Sequence, residues 1–232
     1  MIEPYKFTSN NWSEKRYNDN ELWNSDGIHN PVGSLGGYKT NHAEPQFEEI
    51  KKYVKKKRVA IDIGCRWGSF TVQLHKFGFE YVHMIEMREL HYKGISYNVD
   101  MSRACLYPCA AMDKTGSITR SGKTVVNTNN GDVKSLAIDD LNLDDVDFIK
   151  IDVDGPDRLV LKGCFDTIKR CKPVIYIEYG VEQMSWEQKY ANNSLSKSED
   201  LWSILKSFYY EIDGPENNLI LLPTITPRIV ET

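Results

Sequence analysis

Short continuous apolar runs alternate along this chain with segments whose apolar residues recur at helical spacing. Val59–Ile63 is a β-branched run that reads as a buried strand. It ends at Gly64, Gly68 follows four residues later, and Ser69–Phe77 has the spacing of a helix. Residues 81–86 form a second apolar run, closing on Glu86, and residues 88–99 read as a helix. A third strand is predicted over 104–112, ending near Asp113. Gly116, Gly122 and Asn129-Asn130-Gly131, set among Thr, Ser and Val, predict one or two short hairpin strands between 114 and 135. Residues 135–143 make a connector with room for one helical turn, and 146–155 hold another buried strand. A helix is predicted over 156–165, with Pro156 in its first turn, where a missing N–H costs little. Residues 173–178 read as a strand and, after a polar stretch over 180–197, residues 198–208 as a helix. Residues 209–212 and 218–222 flank Asp213-Gly214-Pro215 and predict a closing antiparallel pair. Ahead of all these, Phe47, Ile50, Tyr53 and Val54 predict an amphipathic helix over 44–57, with acids at its start and a basic cluster, Lys51 to Arg58, at its end.

Strand and helix in alternation predict an α/β fold: a mostly parallel, Rossmann-like, seven-stranded sheet with helices on both faces and an antiparallel C-terminal strand. The length, 232 residues, fits one such domain over 44–232, preceded by an arm or lid over 1–43. That first segment is rich in Asn, Gly and aromatics, including Trp12, Tyr17, Trp23 and Tyr38, without a sustained period. It reads equally as a packed arm and as a cover for a binding site.

Composition narrows the function classes. The net charge of −4 supplies no field that would draw the chain to nucleic acid or a membrane. No run of 18 apolar residues exists, and the polar N-terminus, broken by Pro4, lacks the apolar core of a secretory signal. The five cysteines are scattered and none forms a Cys-x-x-Cys pair, so a zinc knuckle or a disulfide framework is not expected, and a cytoplasmic location is.

The candidate chemistry sits at the strand ends. Asp62 lies one residue inside the carboxyl end of the first strand, and the turn after it is Gly-x-x-x-Gly, not the Gly-x-Gly-x-x-Gly of dinucleotide sites. Glu86 follows at the distance where a carboxylate grips ribose hydroxyls. Asp62, Gly64, Gly68 and Glu86 together resemble the first two motifs of class I S-adenosylmethionine methyltransferases. Ser-Leu-Ala-Ile-Asp-Asp-Leu from Ser135, Phe-Ile-Lys-Ile-Asp-Val-Asp-Gly from Phe148, Val-Leu-Lys-Gly from Val160 and Lys-Pro-Val-Ile-Tyr-Ile-Glu from Lys172 extend the likeness. With Asp-Ile-Gly-Cys-Arg-Trp-Gly-Ser-Phe-Thr and the Ala110-Ala111-Met112-Asp113 turn, the ordered set resembles the FkbM family of methyltransferases over residues 59–178. The chain departs from that family's pattern at Asp154 and Asp157, where Glu is common, at Cys65-Arg66, where Ala-Asn is common, and at Met87, where Pro is common.

The resemblance implies S-adenosylmethionine as cofactor and O-methylation of a hydroxyl on a sugar, glycan or secondary metabolite. It implies that Asp62 and the backbone of Gly64, Cys65, Arg66 and Gly68 hold the methionine part. Glu86 would take the ribose hydroxyls with Met87 beside it, and Ala111, Met112 and Asp113 would face the adenine, Asp113 reading equally as a plain turn residue. An alcohol needs its proton drawn away. Asp152, beside the cofactor, is the expected base, with Glu178 and His42 as further catalytic candidates. Asp152, Asp154 and Glu178 are also an oxygen set suited to Mg²⁺, or else Asp152 and Asp154 shape the loop and cap the next helix. His29, His75, His83 and His91 read as packing or surface residues. Two other readings stay open. Lys150, two residues before Asp152 and so on the same strand face, admits an RNA 2′-O-methyltransferase, although the charge balance argues against a polyanion. A non-catalytic Rossmann-like binding module is the other.

Overall fold

The computed structural model describes residues 2–7, 21–23, 29–31, 43–121, 124–127, 131–178, 205, 209–214 and 218–224. Most of the 1–43 segment, His42, Asn129-Asn130, the 180–197 stretch and nearly all of the 198–208 helix therefore lie outside the described residues.

Two short strands, β1 (Glu21–Trp23) and β2 (His29–Pro31), pair antiparallel ahead of α1 (Ala43–Ile50). The main unit then runs β3 (Val59–Ile63), α2 (Ser69–Phe77), β4 (Tyr81–Ile85), α3 (Tyr92–Asn98) and β5 (Ala104–Tyr107). A small-sheet segment follows with β6 (Ala110–Ala111), β7 (Gly116–Ser121), β8 (Thr124–Asn127) and β9 (Val133–Leu136). The chain returns through β10 (Val146–Ile151), α4 (Asp157–Lys162), α5 (Phe165–Cys171) and β11 (Val174–Glu178), and closes with β12 (Tyr209–Asp213) and β13 (Asn218–Pro223).

Seven strands form the main sheet in the order β12-β13-β11-β10-β3-β4-β5. The pairs from β11 across to β5 are parallel, and β13 runs antiparallel to both of its neighbours. Period-2 alternation divides the core into two layers. Ala60, Phe148, Val174 and Tyr176 face one layer with Phe70 and Leu74 of α2. Ile61, Ile63, Ile149, Ile151, Ile175 and Ile177 face the other with Val160 and Ile168. Continuous apolar strands are thus what a sheet buried on both sides requires. The predicted fold class holds.

Three boundaries differ from the expectation. The first helix ends at Ile50 instead of running to 57: Lys52 and Tyr53 donate to Glu49 and Ile50, tightening the chain before it extends into β3. The third strand stops at Tyr107, because Pro108 has no N–H for the ladder. The chain resumes as β6, paired with β9 in the four-stranded sheet β6-β9-β7-β8, more strands than the hairpin signals indicated. The helix expected over 156–165 breaks at Gly163, where a Cβ would stand 2.0 Å from the Met112 carbonyl oxygen. The unanticipated α5 follows. Its first-turn amides of Asp166 and Thr167 donate to the Asp139 carboxylate, at 3.0 and 2.7 Å, so its cap comes from a distant residue. Among the described residues no helix is long and apolar enough to cross a membrane.

Strand β3 reaches its neighbour so closely that Gly64 is sterically required. A Cβ there would lie 1.8 Å from the Asp152 carbonyl oxygen, and its φ is +76°. At Gly78, φ is +104° but the nearest atom is a flexible Lys57 carbon at 3.8 Å. Gly64→Ala is expected to cost about 3 kcal/mol or more in urea denaturation, well beyond Gly78→Ala, which bears backbone strain alone. Equal costs would contradict the packing argument.

Candidate functional site

The chain starts at the sheet centre, builds outward through β4 and β5, then returns to the other side of β3 as β10. The two half-sheets diverge at β3 and β10, the switch point where open α/β sheets hold ligands beyond their carboxyl ends. A cavity of about 510 Å³ lies there, within the range of small-molecule sites.

The turn from β3 into α2 forms its first wall. Gly64, Arg66 and Gly68 all take left-handed backbone angles, with φ of 76°, 52° and 85°. This winding points the Arg66 amide at the Glu86 carboxylate, Oε2 accepting at 3.0 Å. The Arg88 amide donates to the other oxygen, Oε1, at 2.7 Å. Glu86 is thus fixed by two backbone donors at the carboxyl end of β4. His91 Nδ1 stands 3.1 Å from Oε2, and the His91 ring meets Trp67 edge-on at 6.0 Å. The Arg66 guanidinium carbon lies 3.8 Å from the centre of the Trp67 ring.

The second wall is the end of β10. Lys150 is buried, and its ammonium donates to the Gly64 carbonyl at 3.2 Å. The same nitrogen lies 3.2 Å from Asp152 Oδ2 and 3.5 Å from Asp62 Oδ1. Burial works against the Lys150 cation, but the carboxylates of Asp152 and Asp62 outweigh it and hold the ammonium's pKa above its ordinary value. Burial pushes the Asp62 carboxyl up, opposed by Lys150 and by the Thr71 hydroxyl, which donates to Oδ2 at 2.6 Å. Asp157, at the start of α4, accepts from the amides of Val153 and Gly155 and so ties down the loop that carries Asp154.

The fold brings Gly64, Cys65, Arg66, Glu86, Met87, Ala111, Asp152 and Asp154 of the expected set to the cavity wall. It does not bring Asp62, Gly68, Met112, Asp113 or Glu178 there. Asp62 is fully buried beneath the wall, occupied by Thr71 and Lys150, because its position inside the strand turns it into the α2-side layer. Gly68 serves the fold as the N-cap of α2, where a Cβ would stand 2.4 Å from Val99. Met112 packs in a small core with Ala110, Ile118, Val125 and Leu159. Asp113 pairs with Lys162 at 3.1 Å. The Mg²⁺ set, the alternative to loop shaping and helix capping, finds no support. Among the described residues no three His, Cys, Asp or Glu side chains are grouped to hold a metal ion. Asp152 is engaged by Lys150 at 3.2 Å, and burial with the charge of Asp152 pushes the Glu178 carboxyl up. His91, expected as a packing or surface residue, is buried on the cavity wall. Trp67, Arg88 and Val125 also line the wall, although no periodicity marks them. Lys150 lies on the face of Asp152, as strand alternation predicts.

Fold and cavity together define a Rossmann-like α/β protein with a crevice suited to a nucleoside ligand. The Methyltransferase FkbM domain matches residues 83–212, more than half of the chain. The chain belongs to the FkbM methyltransferase family, whose cofactor is S-adenosylmethionine. The crystal structure of methyltransferase FkbM from Methylobacillus flagellatus is similar at 21% identity, with 71% of this chain and 43% of that one covered and a TM-score of 0.46. The PH0226 protein of Pyrococcus horikoshii is similar at 15% identity, with 83% of this chain and 95% of that one covered and a TM-score of 0.43. No curated protein matches the chain.

Burial and the charge of Asp152 push the Asp157 carboxyl up to about 7 from 3.8. Burial, then Asp152 and Asp157, push Glu178 up to about 8 from 4.5. Both carboxyls keep their protons longer in the folded chain than in the unfolded one. Their contribution to stability is therefore full below the ordinary values and lost as pH rises through the folded ones. Urea denaturation is expected to show stability falling between about pH 4 and about pH 8. Asp157→Asn should flatten that slope, and a slope identical to the wild type's would contradict the assignment.

Proposed function

We propose that this chain transfers a methyl group from S-adenosylmethionine to a hydroxyl of a sugar, glycan or small secondary metabolite. The observation that carries the cofactor reading is Glu86, whose two oxygens are each aimed by a backbone amide at a cavity of fitting size. A carboxylate so held has lone pairs left for the two hydroxyls of a ribose. The turn at Gly64–Arg66 would hold the methionine part and Met87 with Ala111 the base. When bound, the cofactor supplies an electrophilic methyl on a sulfonium.

The remaining task for the chain is to orient the acceptor and remove one proton. Asp152 supports this reading: its side chain is 46% exposed at the cavity and its other side is held by Lys150 at 3.2 Å. Asp152 would accept the hydroxyl proton of an acceptor held against the cofactor's methyl group. Glu178, whose carboxyl is pushed up to about 8 by burial and by the charge of Asp152, would orient that carboxylate from the neighbouring strand. The net charge of −4 favours a small or glycan acceptor over a polyanion.

Two measurements test this reading. Calorimetry with S-adenosylhomocysteine is expected to show binding, weakened about 100-fold in Glu86→Ala. A labelled methyl-transfer screen over sugars, glycolipids and RNA, with and without chelator, should yield an alkylated hydroxyl product. Asp152→Asn should keep cofactor binding and lose turnover by about 10³. Full turnover in that variant would remove Asp152 from the reaction, and transfer to RNA alone would replace the acceptor class.

A further inference from the structure

The cavity lining includes the polar residues Lys150, Asp152 and Asp154 and a group of apolar residues, Met87, Ala110 and Val125, that pack in one cluster. Val125 is not part of the main α/β unit. It belongs to β8, which pairs with β7 through Arg120↔Val125. β7 pairs with β9 through Ile118↔Val133, and β9 pairs with β6 through Ser135↔Ala110. This ladder ties the hairpin to the strand that carries Ala110. Val125 is only 3% exposed, and it packs with Ala110, Met112, Ile118 and Leu159, with Met87 against the same cluster. A residue that both lines the cavity and belongs to a closed apolar cluster cannot swing away without opening that cluster.

We propose that the β7–β8 hairpin closes the base end of the cofactor cavity and that Val125 sets the depth available to the purine. The proposal rests on the reading that Glu86 takes the ribose of an adenosyl ligand. With the sugar at Glu86, the base would reach the neighbouring apolar lining of Met87 and Val125, and the hairpin would bound its N6-bearing edge. An apolar wall at that edge excludes substituents on N6 by shape, and one methylene more or less in such a pocket shifts selectivity about tenfold or more.

The test is calorimetric binding of S-adenosylhomocysteine and its N6-benzyl analogue to the wild type, Val125→Ala and Val125→Ile. It needs no acceptor. The wild type is expected to bind the parent compound and to bind the N6-benzyl analogue at least about tenfold more weakly. Val125→Ala should narrow that ratio about tenfold, and Val125→Ile should weaken the parent compound while widening the ratio. Because the two substitutions must move the ratio in opposite directions, a general loosening of the fold cannot imitate the result. An unchanged ratio in both variants, with parent binding intact, overturns the role of the hairpin alone. A wild type that binds neither compound overturns the cofactor reading and the hairpin proposal with it.

Discussion

The arrangement depends on one buried ammonium. Lys150 on β10 and Asp62 on β3 are direct partners in the parallel register, and both face the layer that contains Phe70 and Thr71. A slip of one residue in β10 would turn Lys150 into the opposite layer, built mainly of Ile, Leu and Val, and leave Asp62 without its cation, so the pair specifies register more than it adds stability. The same ammonium reaches the Gly64 carbonyl and Asp152, which joins the turn after β3 to the end of β10 at the place where the sheet divides. The crevice exists because those two strand ends are held together beneath it.

That constraint explains a split among the acids. Asp62, Asp152 and Glu178 sit at or near strand ends, yet only Asp152 lines the cavity. Asp62 lies two residues deeper in the register, where Lys150 and Thr71 engage it, and Glu178 stands beside Asp152 on the adjacent strand. Gly64 has a structural duty as well, since the Asp152 carbonyl leaves no room for a side chain there. Residues that look like ligand contacts in the linear motif thus divide into those that touch the cavity and those that build its floor.

Much of this was legible in the chain alone. Val59–Ile63, Ser69–Phe77 and the end of β10 carry strong local signals, and strand alternation alone put Lys150 beside Asp152. What escaped was non-local. The cap of α5 is Asp139, 27 residues ahead of the amide of Asp166 that it accepts from, so no window around α5 contains it. The break at Gly163 is set by contact with Met112, and the cavity role of Val125 arises from a ladder of four short strands. His91 reaches the wall through the turn after Glu86, which has no period to read. Depth within a strand end was invisible for a related reason: a carboxylate two residues further in shares the same face and looks the same in sequence, but meets Lys150 and Thr71 beneath the cavity.

The most direct measurement is hydrogen exchange of the full chain with and without saturating S-adenosylhomocysteine. The central expectation is slowed exchange in three separate segments, residues 64–67, 86–88 and 109–111, all of which line the cavity. Saturable binding that protects other segments and leaves these three unchanged would contradict it.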